Sequence, residues 1–265
     1  MFAYRPNKPQ HHIHQSGHWS GTDREEVWHE NMQIPERREY FQKRGWDRPD
    51  AIYYRINQQG FRGDDFDESQ EHIVTFGCSF TFGVGLSEEQ TWPYMLAKYL
   101  NLPVYNLALG GASADRCYSL AEYWLPKLKP RAVYMLTPFN TRLDIINGDF
   151  HSSILPNATL RYGDDVYWRS WIASSQNGLV NQRRNQAAVA GLCHALGIPL
   201  RIYRIDDAIG VFNYIPSTEQ GKYQLSHFGS DRARDWLHRG PLWQEFVTEN
   251  MLGTDTKIPR IYCTM

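Results

Sequence analysis

An alternation of short apolar runs with amphipathic stretches begins near residue 72, and it constrains the fold of this 265-residue chain more than any other feature. The apolar runs are typical of buried strands and lie at His72–Phe76, Val104–Leu109, Ala132–Leu136 and Leu200–Ile205. The amphipathic stretches have helical periodicity and lie at Thr91–Leu100, Ser113–Leu128, Leu179–Leu196 and Leu242–Leu252. Strands that alternate with helices form β-α-β units around a parallel sheet. We therefore predict an α/β fold, a three-layer α/β/α sandwich with a central parallel sheet.

Two kinds of segment fall outside this alternation. Residues 1–68 lack sustained periodicity, apart from a short helix predicted at Arg37–Lys43, and we expect an N-terminal extension that packs on or wraps the core. The core domain is predicted to span residues 69–265. Within it, residues 141–177 and 206–229 are rich in turn-forming and polar residues, which indicates insertions above the sheet.

Composition argues against several classes of protein. The net charge of -1 and the pI near 6.8 favour neither a nucleic-acid partner nor an anionic membrane. No apolar run approaches the ~20 residues of a membrane span, and the first residues lack the apolar region of a signal peptide, so we expect a cytoplasmic protein.

The histidines and cysteines do not form a recognisable metal or disulfide pattern. The histidines His11, His12, His14 and His18 cluster near the N-terminus without matching cysteine or carboxylate spacing, and we predict no metal site there. The widely spaced cysteines, Cys78, Cys117, Cys193 and Cys263, are expected to be reduced thiols.

The chemistry is expected where the predicted strands end, since ligands of open parallel sheets bind beyond the carboxyl ends of the strands. Ser79, Gly111 and Asn140 all fall at such ends. A serine nucleophile needs a base and a group that orients the base. Asp235 precedes His238 by three residues, a spacing that lets the carboxylate reach Nδ1 of the imidazole and leaves Nε2 free to accept a proton.

Taken together, four blocks of sequence resemble the SGNH/GDSL hydrolase superfamily, whose members are esterases, lipases and other acyl hydrolases on a flavodoxin-like fold. The blocks are Gly77-Cys78-Ser79-Phe80-Thr81, Asn106 to Gly111, Thr137 to Thr141, and Ala233 to Gly240. The resemblance implies that Ser79 is the nucleophile and that His238 and Asp235 complete a triad. It also implies an oxyanion hole built from the backbone N–H groups of Ser79 and Gly111 and the side-chain amide of Asn140.

The chain departs from the family pattern in two blocks. Cys78 stands where the family has an aspartate, and Pro138 and Thr141 replace the usual glycine and aspartate of the third block. Cys78 is an alternative nucleophile, because thiolates are activated at helix N-termini. We expect its side chain to point away from that of Ser79.

The resemblance implies hydrolysis of an acyl ester through an acyl-enzyme, with no metal or organic cofactor. The aromatic and polar insertions suit a carbohydrate, which favours an acetyl ester on a sugar as the substrate. Two alternatives stay open at this point. One is a non-catalytic carbohydrate-binding or structural protein on the same fold, and the other is an O-acyltransferase that uses the same acyl-enzyme.

Overall fold

A computed structural model describes residues 15–147, 150–154, 175–204 and 227–253. Its strands are β1 (Ile73–Phe76), β2 (Val104–Asn106), β3 (Ala132–Thr137), β4 (Leu143–Asn147), β5 (Phe150–Ile154) and β6 (Leu200–Arg204). Its α-helices are α1 (Glu25–Met32), α2 (Pro35–Arg44), α3 (Ser79–Phe82), α4 (Trp92–Leu100), α5 (Ala114–Leu128), α6 (Ser175–Ala195) and α7 (Pro241–Leu252).

The central sheet has the strand order β2-β1-β3-β6, and every pairing in it is parallel. The chain moves from β1 to β2 through α4, then crosses back over β1 to β3 through α5. Right-handed crossovers in opposite directions place these two helices on opposite faces of the sheet. Helix α7 packs beside α4, and α6 packs beside α5. The predicted three-layer α/β/α sandwich with a central parallel sheet is therefore confirmed.

Local sequence explains how the central elements begin and end. Strand β1 is buried along its whole length, as expected for the middle of a parallel sheet. The Ser113 hydroxyl caps α5 by accepting a hydrogen bond from the N–H of Arg116. The amphipathic stretch predicted at Thr91–Leu100 forms α4, in which Trp92 and Leu96 are buried whereas Tyr99 is 67% exposed.

The N-terminal segment from residue 15 packs on the core through an apolar cluster of its own. From this segment the cluster takes Trp28, Phe41, Trp46, Ile52 and Tyr54. From the core it takes Phe82, Val84, Leu86, Ala108 and Ala233. The segment therefore lies against the turn that follows α3 and against the residues that carry Asp235. We call residues 15–68 the N-terminal arm.

The first predicted insertion contains regular structure that the sequence did not reveal. Strands β4 and β5 pair antiparallel as a hairpin within residues 143–154. The rest of that insertion up to residue 174, and residues 206–226 of the second, lie outside the described residues. Within the described ranges, every helix is too short or too polar to cross a lipid bilayer.

Candidate active site

Ser79 lies where the sequence places it, directly after β1 at the carboxyl edge of the sheet. It opens α3, which is a single turn of four residues. Ser79 itself is buried, with 6% of its surface exposed. Its N–H and hydroxyl have no hydrogen-bond partner among the described residues. Both groups are therefore available to a bound molecule.

Asp235 and His238 form the pair that their spacing predicts. Oδ2 of Asp235 lies 2.6 Å from Nδ1 of His238, and Oδ1 accepts hydrogen bonds from the backbone N–H groups of Leu237 and His238 at 3.1 and 3.0 Å. The carboxylate is 1% exposed. The contact fixes the imidazole so that Nε2 is the ring nitrogen left for a further partner.

The ring of Phe80 brings the nucleophile turn to His238. Phe80 follows Ser79 directly, and its ring centroid lies 4.7 Å from that of His238. The same ring packs edge-on against Phe139, at 5.8 Å, and against Trp243, at 5.5 Å. One side chain thus links the turn after β1, the segment after β3 and the imidazole. No hydrogen bond joins Ser79 Oγ to His238 in this conformation, and such bonds are often long before substrate binds.

The two other residues predicted for the oxyanion hole lie in neighbouring loops. Gly111 has a left-handed backbone with φ of 76°, and an added Cβ there would meet open space. Its N–H, like the side chain of half-buried Asn140, has no hydrogen-bond partner in the part of the chain that the structure describes. Three unpaired donors therefore lie in the loops that follow β1, β2 and β3.

Specific contacts hold these loops together. The N–H of Leu109 donates to Gly77 at 3.4 Å, which ties the chain after β2 to the chain after β1. Arg142 donates to the carbonyl of Ala112 at 3.2 Å, which ties the loop after β3 to the chain beside Gly111. Helix α6 supports that loop through Gln182, whose amide donates to the carbonyl of Pro138 at 2.7 Å.

A contact to Asp235 from the N-terminal arm was missed by sequence reasoning. The hydroxyl of Thr22 donates to Oδ2 of Asp235 at 2.6 Å, across 213 residues of chain. Burial by itself would raise the pKa of Asp235, but the positive charge of His238 and hydrogen bonds from His238 and Thr22 outweigh it and lower the pKa. Nothing in the local sequence around Thr22 indicates this contact.

The arm also holds Trp236, the residue that follows Asp235. Trp236 has a left-handed backbone with φ of 61°, which is rare for a bulky residue. Its ring packs edge-on against Tyr40 of α2 at 5.3 Å and lies under the guanidinium of Arg37 at 4.8 Å. These contacts fix the turn that brings His238 back onto Asp235.

Cys78 is buried in the core cluster. It is a free thiol with no exposed surface, as is Cys117, whose pKa burial raises well above its ordinary value. Asp144 of β4 forms an ion pair with α5, because its Oδ2 lies 2.7 Å from Nε of buried Arg116. Of the predicted histidine cluster, His18 contacts the carbonyl of Ile52 through Nδ1 at 3.0 Å, and the others lie outside the described residues.

No protein-family model matches the sequence. No curated protein matches it either. Among solved structures, the chain is similar to TesA, with 16% identity over 69% of this chain and 97% of that chain and a TM-score of 0.44. It is similar to the psychrotrophic esterase EstA from Pseudoalteromonas sp., with 13% identity over 69% and 94% of the two chains and a TM-score of 0.41.

A third similar structure is the acetyl xylan esterase AlAXEase, with 15% identity over 69% of this chain and 98% of that chain and a TM-score of 0.45. Others are a lipase/acylhydrolase from Enterococcus faecalis and a GDSL-like lipase from Bacteroides thetaiotaomicron. At such identities and TM-scores the likeness is a distant one of fold.

Proposed function

We propose that this protein is a serine ester hydrolase with Ser79 as the nucleophile, His238 as the general base and Asp235 as the residue that orients the base. The observation that carries the proposal is the Asp235–His238 contact of 2.6 Å, with the imidazole packed on Phe80 beside Ser79. The carboxylate fixes Nδ1 of the imidazole, and this pair lies at the carboxyl edge of a parallel sheet beside a serine with an unpaired hydroxyl. Such an arrangement is suited to nucleophilic catalysis by the serine.

The proposed reaction proceeds in two halves. Ser79 Oγ attacks the ester carbonyl as His238 Nε2 takes its proton, and the carbonyl oxygen becomes an oxyanion. The N–H groups of Ser79 and Gly111 and the amide of Asn140 are the proposed donors to that oxyanion. The tetrahedral intermediate collapses to an acyl-enzyme while His238 protonates the leaving alcohol. Water then attacks the acyl-enzyme by the same route and releases the acid.

The proposed substrate class is a small acyl ester, with an acetylated carbohydrate as the first group to examine. The sequence of the two insertions supports this choice, through its aromatic and polar residues. An acyl-enzyme can also be captured by a sugar hydroxyl, and an assay with added sugar acceptors separates transfer from hydrolysis.

The test is the hydrolysis of p-nitrophenyl acetate by the parent protein and by Ser79→Ala and His238→Ala variants. We expect measurable turnover in the parent and a loss on the order of 10³-fold or more in each variant, because the serine and histidine of a triad act as a unit. A phosphonate ester should label the parent once, and mass mapping should place the label on Ser79 rather than on neighbouring Cys78.

The matched control is Ser69→Ala, which removes an exposed hydroxyl that binds only Asp67 and lies outside the four blocks. It should keep the parent turnover. Turnover that survives in Ser79→Ala, or a label on Cys78, would rule out the proposed nucleophile. A parent that is silent on a wide panel of esters and acceptors would favour the carbohydrate-binding alternative.

A further inference from the structure

We propose that Thr22, a residue of the N-terminal arm, is a positioning residue for this reaction. Its hydroxyl holds the Asp235 carboxylate in the orientation that His238 requires. The inference rests on the proposed function, but it concerns a residue outside every block that resembles the hydrolase family. It assigns to the arm a direct part in assembling the catalytic pair.

The geometry of Asp235 Oδ2 is the first support. This oxygen accepts from the Thr22 hydroxyl and from His238 Nδ1, each at 2.6 Å, while Oδ1 accepts from backbone N–H groups. Backbone donors fix one end of the carboxylate, and at the other end the Thr22 hydroxyl adds a second contact beside that of His238. Rotation of the carboxylate about its Cβ–Cγ bond would break these contacts together.

The arm holds Thr22 firmly, which is the second support. Asp23, the next residue, is 1% exposed and accepts from Arg234 Nη2 at 2.7 Å and from the hydroxyl of Tyr54 at 2.6 Å. Arg234 in turn precedes Asp235 in the chain. The backbones that carry Thr22 and Asp235 are therefore joined by a buried ion pair one residue away on each side.

Because Thr22 is exposed, its positioning role can be tested without unfolding the protein. Its residue surface is exposed, although its hydroxyl is directed at the buried carboxylate of Asp235. Because Thr22 itself is exposed, its substitution removes the hydrogen bond to Asp235 and little packing, and circular dichroism of each variant checks that the fold is kept. A loss of activity at Thr22 therefore reports on Asp235 rather than on the fold.

The experiment compares the parent with Thr22→Val, which keeps the shape and removes the hydroxyl, and Thr22→Ser, which restores a hydroxyl. Steady-state hydrolysis of p-nitrophenyl acetate gives kcat and KM separately. We expect kcat of Thr22→Val to fall about tenfold, as for the loss of one hydrogen bond to a charged group, with KM within about twofold. Thr22→Ser should recover most of kcat. Ser69→Ala, which loses another exposed hydroxyl-to-carboxylate contact of 2.6 Å, should match the parent.

A second measurement does not depend on turnover. The proton on Nδ1 of His238 gives a downfield ¹H NMR resonance, assigned by its loss in Asp235→Asn. We expect this resonance to shift in Thr22→Val and to return towards its parent position in Thr22→Ser. If the parent hydrolyses no ester, the proposed function fails, and the resonance alone decides whether Thr22 positions the pair. Parent values of kcat in Thr22→Val, or an unmoved resonance, would overturn the inference.

Discussion

At the scale of single residues, the assignment of Asp235 depends on contacts from both ends of the chain. Its two carboxylate oxygens accept from Thr22, from the backbone of Leu237 and from both the backbone and the imidazole of His238. A buried carboxylate is stable only when its hydrogen-bonding capacity is filled in this way. The same contacts that orient the catalytic pair should therefore also stabilise the fold.

The lowered pKa of Asp235 predicts a specific acid dependence of stability. Burial would raise this pKa, but the charge of His238 and the hydrogen bonds outweigh it and hold the pKa below its ordinary value in the folded state. The unfolded chain then binds a proton more readily, so the stabilisation is present above the unfolded pKa and is lost as the pH falls through the folded pKa. In urea unfolding near pH 6, Asp235→Asn should lower the free energy of unfolding by about 2 kcal/mol.

That difference between parent and Asp235→Asn should shrink as the pH falls below the unfolded pKa of about 3.9 and through the folded pKa, since the parent carboxylate then becomes protonated. A difference that stays constant, or that grows in acid, would contradict the direction of the pKa shift.

The sequence alone predicts the candidate site residues that stand in short motifs. It does not predict the site contacts that lie outside them. Ser79, Asp235 and His238 each stand in a block whose spacing has a chemical reason. Thr22 and the ring contacts of Phe80 have no local pattern, because they depend on the packing of segments far apart in the chain. Contacts of this kind follow from tertiary structure and not from the motif.

At the scale of elements, periodicity predicted the central strands and their flanking helices to within a few residues. The prediction extended β2 to Leu109, whereas the strand ends at Asn106, whose side chain turns to the carbonyl of Thr81 and the N–H of Ala108. Helix α1 was missed because it is mostly polar and buries only Trp28 and Asn31. Strands β4 and β5 were missed because the turn-forming residues of this part of the sequence predict an irregular insertion.

The turn after α3 packs closely against the segment that carries Asp235, and a glycine in this turn makes that contact possible. Gly85 has φ of 76°, and an added Cβ would lie 2.9 Å from both Ala233 Cβ and the N of Arg234 and 3.1 Å from the N of Asp235. Gly85→Ala should therefore displace the segment that carries Asp235, reducing kcat as well as stability. We expect a loss of about 2–4 kcal/mol in the free energy of unfolding, from backbone strain and overpacking together.

The control for that substitution is Gly45→Ala at the end of α2, where φ is 68° and an added Cβ meets no neighbour within 4 Å. It shares the left-handed backbone without the steric clash, so it should cost about 1 kcal/mol and leave kcat unchanged. Equal effects of the two substitutions on stability and kcat would show that the close contact of Gly85 with the Asp235 segment contributes to neither.

At the scale of the whole molecule, the N-terminal arm and the segment around Asp235 share a buried ion pair. Arg234 and Asp23 have side-chain exposures of 0% and 1%, and their closest atoms lie 2.7 Å apart. Burial raises the pKa of Asp23 even though the hydrogen bonds and charge of Arg234 oppose the rise. The cost of removing Asp23 from water is therefore large, and each of the two buried charges is stabilised by the other.

Asp23→Asn should consequently destabilise the molecule as a unit. The substitution leaves the buried guanidinium of Arg234 without its counter-charge, which typically lowers the free energy of unfolding by about 3–5 kcal/mol. Tryptophan fluorescence reports on the arm through Trp28 and Trp46 and on the sandwich through Trp92, Trp124 and Trp243, whereas far-ultraviolet circular dichroism reports mainly on the helices of the sandwich. Because the arm and the core share one apolar cluster, both signals should shift to lower urea by the same amount.

Glu39→Gln is the matched control, since it neutralises one acid of an ion pair with Lys43 whose two side chains are 69% and 67% exposed. Exposed pairs of this kind contribute little, so its unfolding curve should overlie that of the parent. A fluorescence transition that moves in Asp23→Asn while the circular dichroism transition does not would show that the arm detaches before the sandwich unfolds. In that event the arm would detach while the sandwich stays folded, and the hydrogen bond from Thr22 to Asp235 would be lost when it detaches.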